Sequence, residues 1–166
     1  MASNKSLTLV RHAKSSWKFP ELDDFERPLN KRGHRNAPKI AERLNEVGLK
    51  PDCIISSPAV RALSTAQIIA DILLFERKRI IEHPDLYHAS VKTLIGIICQ
   101  QDDNLKHLMI VGHNPTLNDL LWMTDVDIDN LPTCGVVNFS LDIESWSSFS
   151  HQALKLEYYD YPKRER

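Results

Sequence analysis

The chain is expected to fold as an α/β three-layer sandwich, with a mostly parallel, mixed-edge central sheet flanked by helices. Three observations lead there. Short apolar, β-rich runs alternate with longer amphipathic stretches. Helical patterns separate the first four of these runs. The last two runs follow one another without a convincing helix between them, which suits an edge of mixed direction on an otherwise parallel sheet.

In chain order, strands are expected at Leu7 to Val10, Cys53 to Ser56, Arg79 to Glu82, Leu108 to Val111, Val136 to Leu141 and Leu154 to Tyr158. The first helical pattern runs from Lys31 to Val47 and stops at Gly48, a residue that tolerates positive φ at a helix end. Pro38 lies inside it and should kink the helix or delay its start. The second pattern has Ser57 as candidate cap, Pro58 in the first turn, and Ala59, Leu63, Ala66, Ile69, Ala70 and Leu73 at helical spacing. A third spans Val91 to Gln100. A fourth begins at Pro115, with Asn114 as its cap and Leu117, Leu120 and Leu121 behind it. The segment Lys14 to Leu29 is long for a loop in a compact domain, and such loops tend to be lids or binding segments when ordered.

Composition narrows the function classes. With 166 residues, 42% of them hydrophobic, a single domain over residues 1–166 is the default. A formal charge of −1 lacks the footprint of non-specific nucleic-acid binding, so any attraction for anions must be local. The apolar runs are short and the start MASNKSLTLV has no signal-peptide core, so a soluble, cytoplasmic protein without a membrane partner is expected. Cys53, Cys99 and Cys134 are far apart and have no CxxC spacing, which points to reduced thiols rather than a disulfide framework or a zinc site.

Three basic clusters follow three expected strands. LTLVRHA puts Arg11 and His12 directly after the first. IISSPAVRA puts Arg61 in or just after the first turn of the second helix. LMIVGHNPTL puts His113 before an Asn-capped helix. Taken singly, each has an ordinary alternative: a common dipeptide, a solvated surface arginine, an unpartnered turn histidine. Taken together, they follow the carboxyl ends of strands joined by helical crossovers, and those ends share one sheet edge. Two arginines and two histidines then surround one small volume near helix amino termini. Phosphate is the natural occupant, because guanidinium donors pair with its oxygens and stay charged.

The segments LVRHAKSSW, DFERPLNKRG, SSPAVRA and VGHNP, in that order, resemble the histidine phosphatase superfamily, which has a phosphoglycerate mutase-like fold. RHAKSSW and RPLNKRG look like its compact SixA-type phosphohistidine phosphatase branch, and the resemblance extends from Leu7 to Asp142. It implies that His12 is the nucleophile, with Arg11, Arg61 and His113 completing a phosphate pocket; Ser15 of the first segment is counted among the phosphate-binding residues. Ala13 stands where the wider superfamily has glycine, which marks the branch.

A neutral imidazole, with a reference pKa of about 6.5, attacks phosphorus without a separate base. The expected reaction is therefore phosphoryl transfer to His12 and hydrolysis of the phosphoenzyme by water, with no cofactor and no metal implied. The acid assisting the leaving group is open among Asp24, Asp85, His88, Ser90 or none. Asp24 in the long loop is preferred, although it has an alternative as a partner of Arg27. The absence of a large lid insertion suits a phosphorylated protein side chain, phosphohistidine in the SixA-type reading, with a small phosphomonoester as the alternative substrate. A phosphate-binding module without turnover is a further alternative. Trp17 and Phe19 are candidate contacts for a protein partner, with covering of the core edge as their ordinary alternative; His34, His83, His88, His107 and His151 are read as surface or satisfied core residues, and the tail YDYPKRER as a solvated end.

Overall fold

Strand β1 (Asn4–Arg11) alternates its side chains between two apolar layers: Leu7 and Leu9 join one, Val10 the other. The computed structural model describes residues 4–164. The strands β2 (Cys53–Ser56), β3 (Ile81–Glu82), β4 (His107–Gly112), β5 (Val136–Asp142) and β6 (Lys155–Asp160) complete a six-stranded sheet in the order β3-β2-β4-β1-β5-β6. β1, β2, β3 and β4 run parallel; β5 is antiparallel to β1, and β6 to β5. The expected mixed edge is therefore the β5–β6 side.

Helices α1 (Lys31–Glu46) and α2 (Val60–Ile72) cover one face, packing Ile40, Leu44, Ala66 and Ile69 against Val10, Ile54 and Met109. Helices α3 (Val91–Cys99) and α4 (Thr116–Trp122) cover the other, where Leu94, Ile98 and Leu120 meet Leu9, Ile110 and Phe139. β4 is buried throughout, as its continuous apolar run requires of a strand covered on both faces.

α1 starts at Lys31 as expected, so Pro38 does not delay it. An interior proline costs about 3 kcal/mol. Burial of Ile40 and Leu44 contributes about 2 kcal/mol each, and the Asn30 side chain, accepting from Gly33 N–H at 2.8 Å, adds about 1 kcal/mol, so the helix survives. α2 starts at Val60 rather than at Pro58, because the Ser57 hydroxyl is held by Ala59 N–H at 3.2 Å and by His113. α4 starts at Thr116 with Pro115, not Asn114, in the N-cap position, although the Asn114 side-chain oxygen, one residue further out, accepts from Asn118 N–H at 3.0 Å. β3 shrinks to two exposed residues after a 3-10 turn at Arg77–Arg79.

Candidate active site

The carboxyl ends of β1, β4 and β2 are neighbours, and sheet hydrogen bonds continue past them. His12 N–H donates to Gly112 O and Ser57 N–H to Val111 O, each at 3.0 Å. Cys134, in the left-handed region at φ 60°, donates its N–H to the carbonyls of both Arg11 and His12. Ala13 N–H donates to Thr65 Oγ1 at 2.9 Å, and that hydroxyl donates to Arg61 O at 2.8 Å, which ties the residue after His12 to α2. The result brings Arg11, His12, Ser15, Arg61 and His113 around one cavity of about 480 Å³. The His12 and His113 rings lie 5.1 Å apart, tilted by 55°.

His12 Nδ1 lies 2.7 Å from Ala13 O. A carbonyl only accepts, so Nδ1 carries the proton and Nε2 keeps its lone pair. Burial drives the His12 pKa down to about 4; the bond to Ala13 O opposes this, and the charges of Arg61, Arg11 and Arg27 add to it. His113 is pushed down to about 3, again first by burial, then by His12 and Arg61, with Asp24 opposing. Both rings are neutral near pH 7.

Around them, Arg11 Nη1 donates to Leu131 O at 2.9 Å. Arg61 forks onto Asp24, Nη1 to the carbonyl at 2.6 Å and Nη2 to Oδ2 at 2.9 Å. His113 Nε2 sits 2.7 Å from Ser57 Oγ. Among the described residues, the buried side-chain polar atoms left without a partner are Arg11 Nε, Arg61 Nε and His113 Nδ1. Each such group costs about 1–3 kcal/mol. Ser57 Oγ accepts from Ala59 N–H and is shared with His113 Nε2, which leaves His113 Nδ1 as the ring nitrogen open to a further partner. All three side chains line the one cavity, where two guanidinium groups and an imidazole suit an anion with several oxygens.

Asp24 is corrected as the leaving-group acid. Its carboxylate accepts from Arg27 Nε at 3.1 Å, Arg61 Nη2 at 2.9 Å and the Tyr87 hydroxyl at 2.6 Å. Desolvation raises its pKa, but the Tyr87 and Arg61 hydrogen bonds, the Arg61 charge and Arg27 outweigh it and hold the carboxyl well below the ordinary range. An ionised carboxylate with its oxygens engaged has no proton to give, and Asp24 does not line the cavity. It positions Arg61 instead. Of the alternatives, Asp85 and Ser90 lie outside the cavity lining, Ser90 capping α3 through Thr93 N–H; His88 lines it, at φ 57° and with its ring 4.0 Å from that of Tyr87.

Arg27 and Tyr87 are pocket residues beyond the four matched to the motifs. Arg27 is buried, donates from Nη1 to Ser15 Oγ at 2.7 Å, and lies 3.6 Å under the Trp17 ring. The signal for Arg27 was its place in DFERPLNKRG; nothing in DLYHAS singled out Tyr87. Trp17 is 76% exposed on the cavity rim rather than covering core, whereas Phe19 lies in a separate groove. The three cysteines are free; burial pushes the Cys134 thiol up to about 12.

The RPLNKRG segment supports the loop that carries His12. Lys14 O accepts Asn30 N–H at 3.0 Å, and a Cβ on Gly33 would stand 2.2 Å from that same oxygen. Gly33→Ala is therefore expected to displace Lys14 and destabilise the protein by about 1–3 kcal/mol. Thermal unfolding measured alongside turnover checks this, since both should fall; an unchanged Tm would contradict the close approach.

Among the described residues, no group of three or more His, Cys, Asp or Glu is placed to hold a metal ion, and no helix is long and apolar enough to cross a membrane. Residues 7–91 match the family model of the histidine phosphatase superfamily, branch 1. An uncharacterized chloroplastic protein of Arabidopsis thaliana is 29% identical over 153 residues, 86% of this chain and 69% of that one. This chain thus spans about two thirds of the length of such curated relatives. The structure is similar to that of the provisionally assigned phosphohistidine phosphatase SixA of Agrobacterium tumefaciens, with a TM-score of 0.80 and 27% identity over 95% of this chain and 98% of that one. It shares its fold with a protein histidine phosphatase SixA solved with tungstate, at TM-score 0.79 and 17% identity, covering 95% and 97% of the two chains.

Proposed function

The chain belongs to the histidine phosphatase superfamily, and from that premise we propose that it hydrolyses phosphohistidine on a protein, without a metal, by way of a covalent phosphohistidine on His12. The observation that carries this reading is the convergence on one cavity of Arg11, Arg61 and His113, each with a buried nitrogen that has no partner, beside an imidazole whose Nδ1 is tied to Ala13 O. In the first step the His12 Nε2 lone pair forms a bond to phosphorus as the bond from phosphorus to the substrate imidazole breaks. That imidazole, protonated on its other ring nitrogen, leaves as a neutral molecule. In the second step a water oxygen attacks phosphorus, the bond to Nε2 breaks, and inorganic phosphate departs. Negative charge on the equatorial oxygens is stabilised throughout by donors that need no reorganisation.

A phosphohistidine leaving group needs less acid assistance than an alkoxide, which agrees with a cavity lining that holds no carboxyl group among the described residues. The exposed rim at Trp17 also leaves room for a side chain presented on a folded partner. Phosphomonoester hydrolysis is the second reading, favoured by His88, whose imidazole lines the cavity. Offering the purified protein a phosphohistidine peptide and an aryl phosphate separates them. The peptide is expected to be turned over at least about tenfold faster in kcat/KM, the consequence of a small difference in leaving-group assistance. Preference for the aryl ester, or no release of phosphate from the peptide, would reject the phosphohistidine reading.

A further inference from the structure

The catalytic cavity does not end at its own rim. Lys14 and Thr133 line it and also line an adjoining pocket of about 260 Å³, whose other cations are Arg32 and Lys163. Arg32 in turn borders a shallow groove with Lys18, Lys31 and His34. Among the described residues, no carboxylate lines either depression and no salt bridge engages Lys14, Lys18, Lys31, Arg32 or Lys163. In a chain whose formal charge is −1, this is a local concentration of unpaired positive charge leading away from the phosphate site.

The placement also runs against helix stability. α1 opens Lys31-Arg32-Gly33-His34-Arg35 with no acidic residue in its first turn, where the macrodipole favours anions and disfavours cations by about 0.3–1 kcal/mol each. A local rule broken without a compensating intramolecular contact marks a surface shaped for something outside the chain. The exposed Lys14, shared by the two pockets, fixes the direction from which an incoming chain would pass.

We propose that this surface docks an acidic segment of the phosphorylated protein, with Asp or Glu side chains flanking the phosphorylated residue seated between Arg32 and Lys163. The proposal rests on the phosphohistidine reading above and names the class of substrate it selects. Complementary charge of this kind acts chiefly on encounter and KM, and it weakens with salt. Turnover of the bound phosphoryl group is left to the cavity.

The test uses three phosphohistidine peptides that differ only in acidic, neutral or basic flanks, with the wild-type protein and the R32E/K163E variant. Glutamate at position 32 agrees with the helix dipole, so the variant is not expected to lose its fold, and hydrolysis of an aryl phosphate reports an intact cavity. The wild type is expected to show a KM roughly fivefold to tenfold lower for the acidic than for the neutral peptide, at equal kcat. That advantage should vanish in R32E/K163E and at high ionic strength, with aryl phosphate turnover unchanged. Equal KM values for all three peptides would overturn the docking surface and leave the phosphohistidine reading standing. No hydrolysis of any peptide beside normal aryl phosphate turnover would overturn both.

Discussion

Replacing His12 by alanine is expected to lower kcat on a phosphohistidine peptide by at least about 10³-fold, the scale on which loss of a covalent nucleophile acts. Rapid quenching of the wild type should trap phosphate on the protein in an acid-labile, alkali-stable form that maps to position 12. The variant should trap none. Turnover by His12→Ala at the wild-type rate would remove the residue from the reaction. The pH profile gives an independent reading of the same side chain. Only the neutral ring has a lone pair on Nε2, and burial holds its pKa at about 4. Activity is therefore lost as pH falls through about 4, not through the value of about 6.5 of a free imidazole. Once the substrate's own titration is divided out, kcat/KM should be nearly level between pH 7 and about 5.5, where a free imidazole would already be about nine-tenths protonated. An acid limb near pH 6.5 would show that the nucleophile is not the desolvated ring described here.

Arg61→Ala is expected to reduce kcat/KM by about 10²–10³-fold, the usual effect of removing one donor aimed at developing charge. Two effects combine. The Nε donor is lost, and the Asp24 carboxylate, 2.9 Å from Nη2 in the intact protein, is left without its strongest counter-charge near an anionic substrate. Adding Asp24→Asn to Arg61→Ala should therefore recover part of the loss, whereas Asp24→Asn alone should cost no more than about tenfold and leave the shape of the pH profile unaltered. Arg61→Lys should recover little, because an ammonium cannot hold the Asp24 carbonyl and carboxylate while presenting a third donor to the pocket. A double-mutant cycle on kcat/KM measures the coupling; strict additivity would mean that Asp24 does not position Arg61.

Local patterns were sufficient for much of this architecture. The buried run Leu108 to Val111 and the alternation through Leu7, Leu9 and Val10 placed β4 and β1 within one residue or a few, and the motifs at their ends put Arg11, His12 and His113 on one edge. The misplaced features depend on partners distant along the chain. Ser57 looked like a simple helix cap, but its hydroxyl is shared with His113, 56 residues away. Asp24 looked like an acid in a long loop; its contacts are set by Arg61 and Tyr87, 37 and 63 residues away, which no spacing rule connects to it. Arg27 shared a motif with Asp24, yet its inward course became visible only with Ser15 and Trp17 around it.

The backbone stitching of His12 to Gly112 and of Ser57 to Val111 has a further consequence for how the molecule loosens. These amides belong to the same hydrogen-bonded ladder as the central strands, so the catalytic floor loses order only when the sheet itself comes apart. The segment from Trp17 to Arg27 is held outside that ladder, by the Ser16 N–H to Pro28 O bond at its base and by the side-chain contacts that Asp24 and Arg27 gather, so its amides are expected to exchange with solvent at lower free energy than those of the sheet. Loosening of that segment would leave the backbone of His12 in register with Gly112.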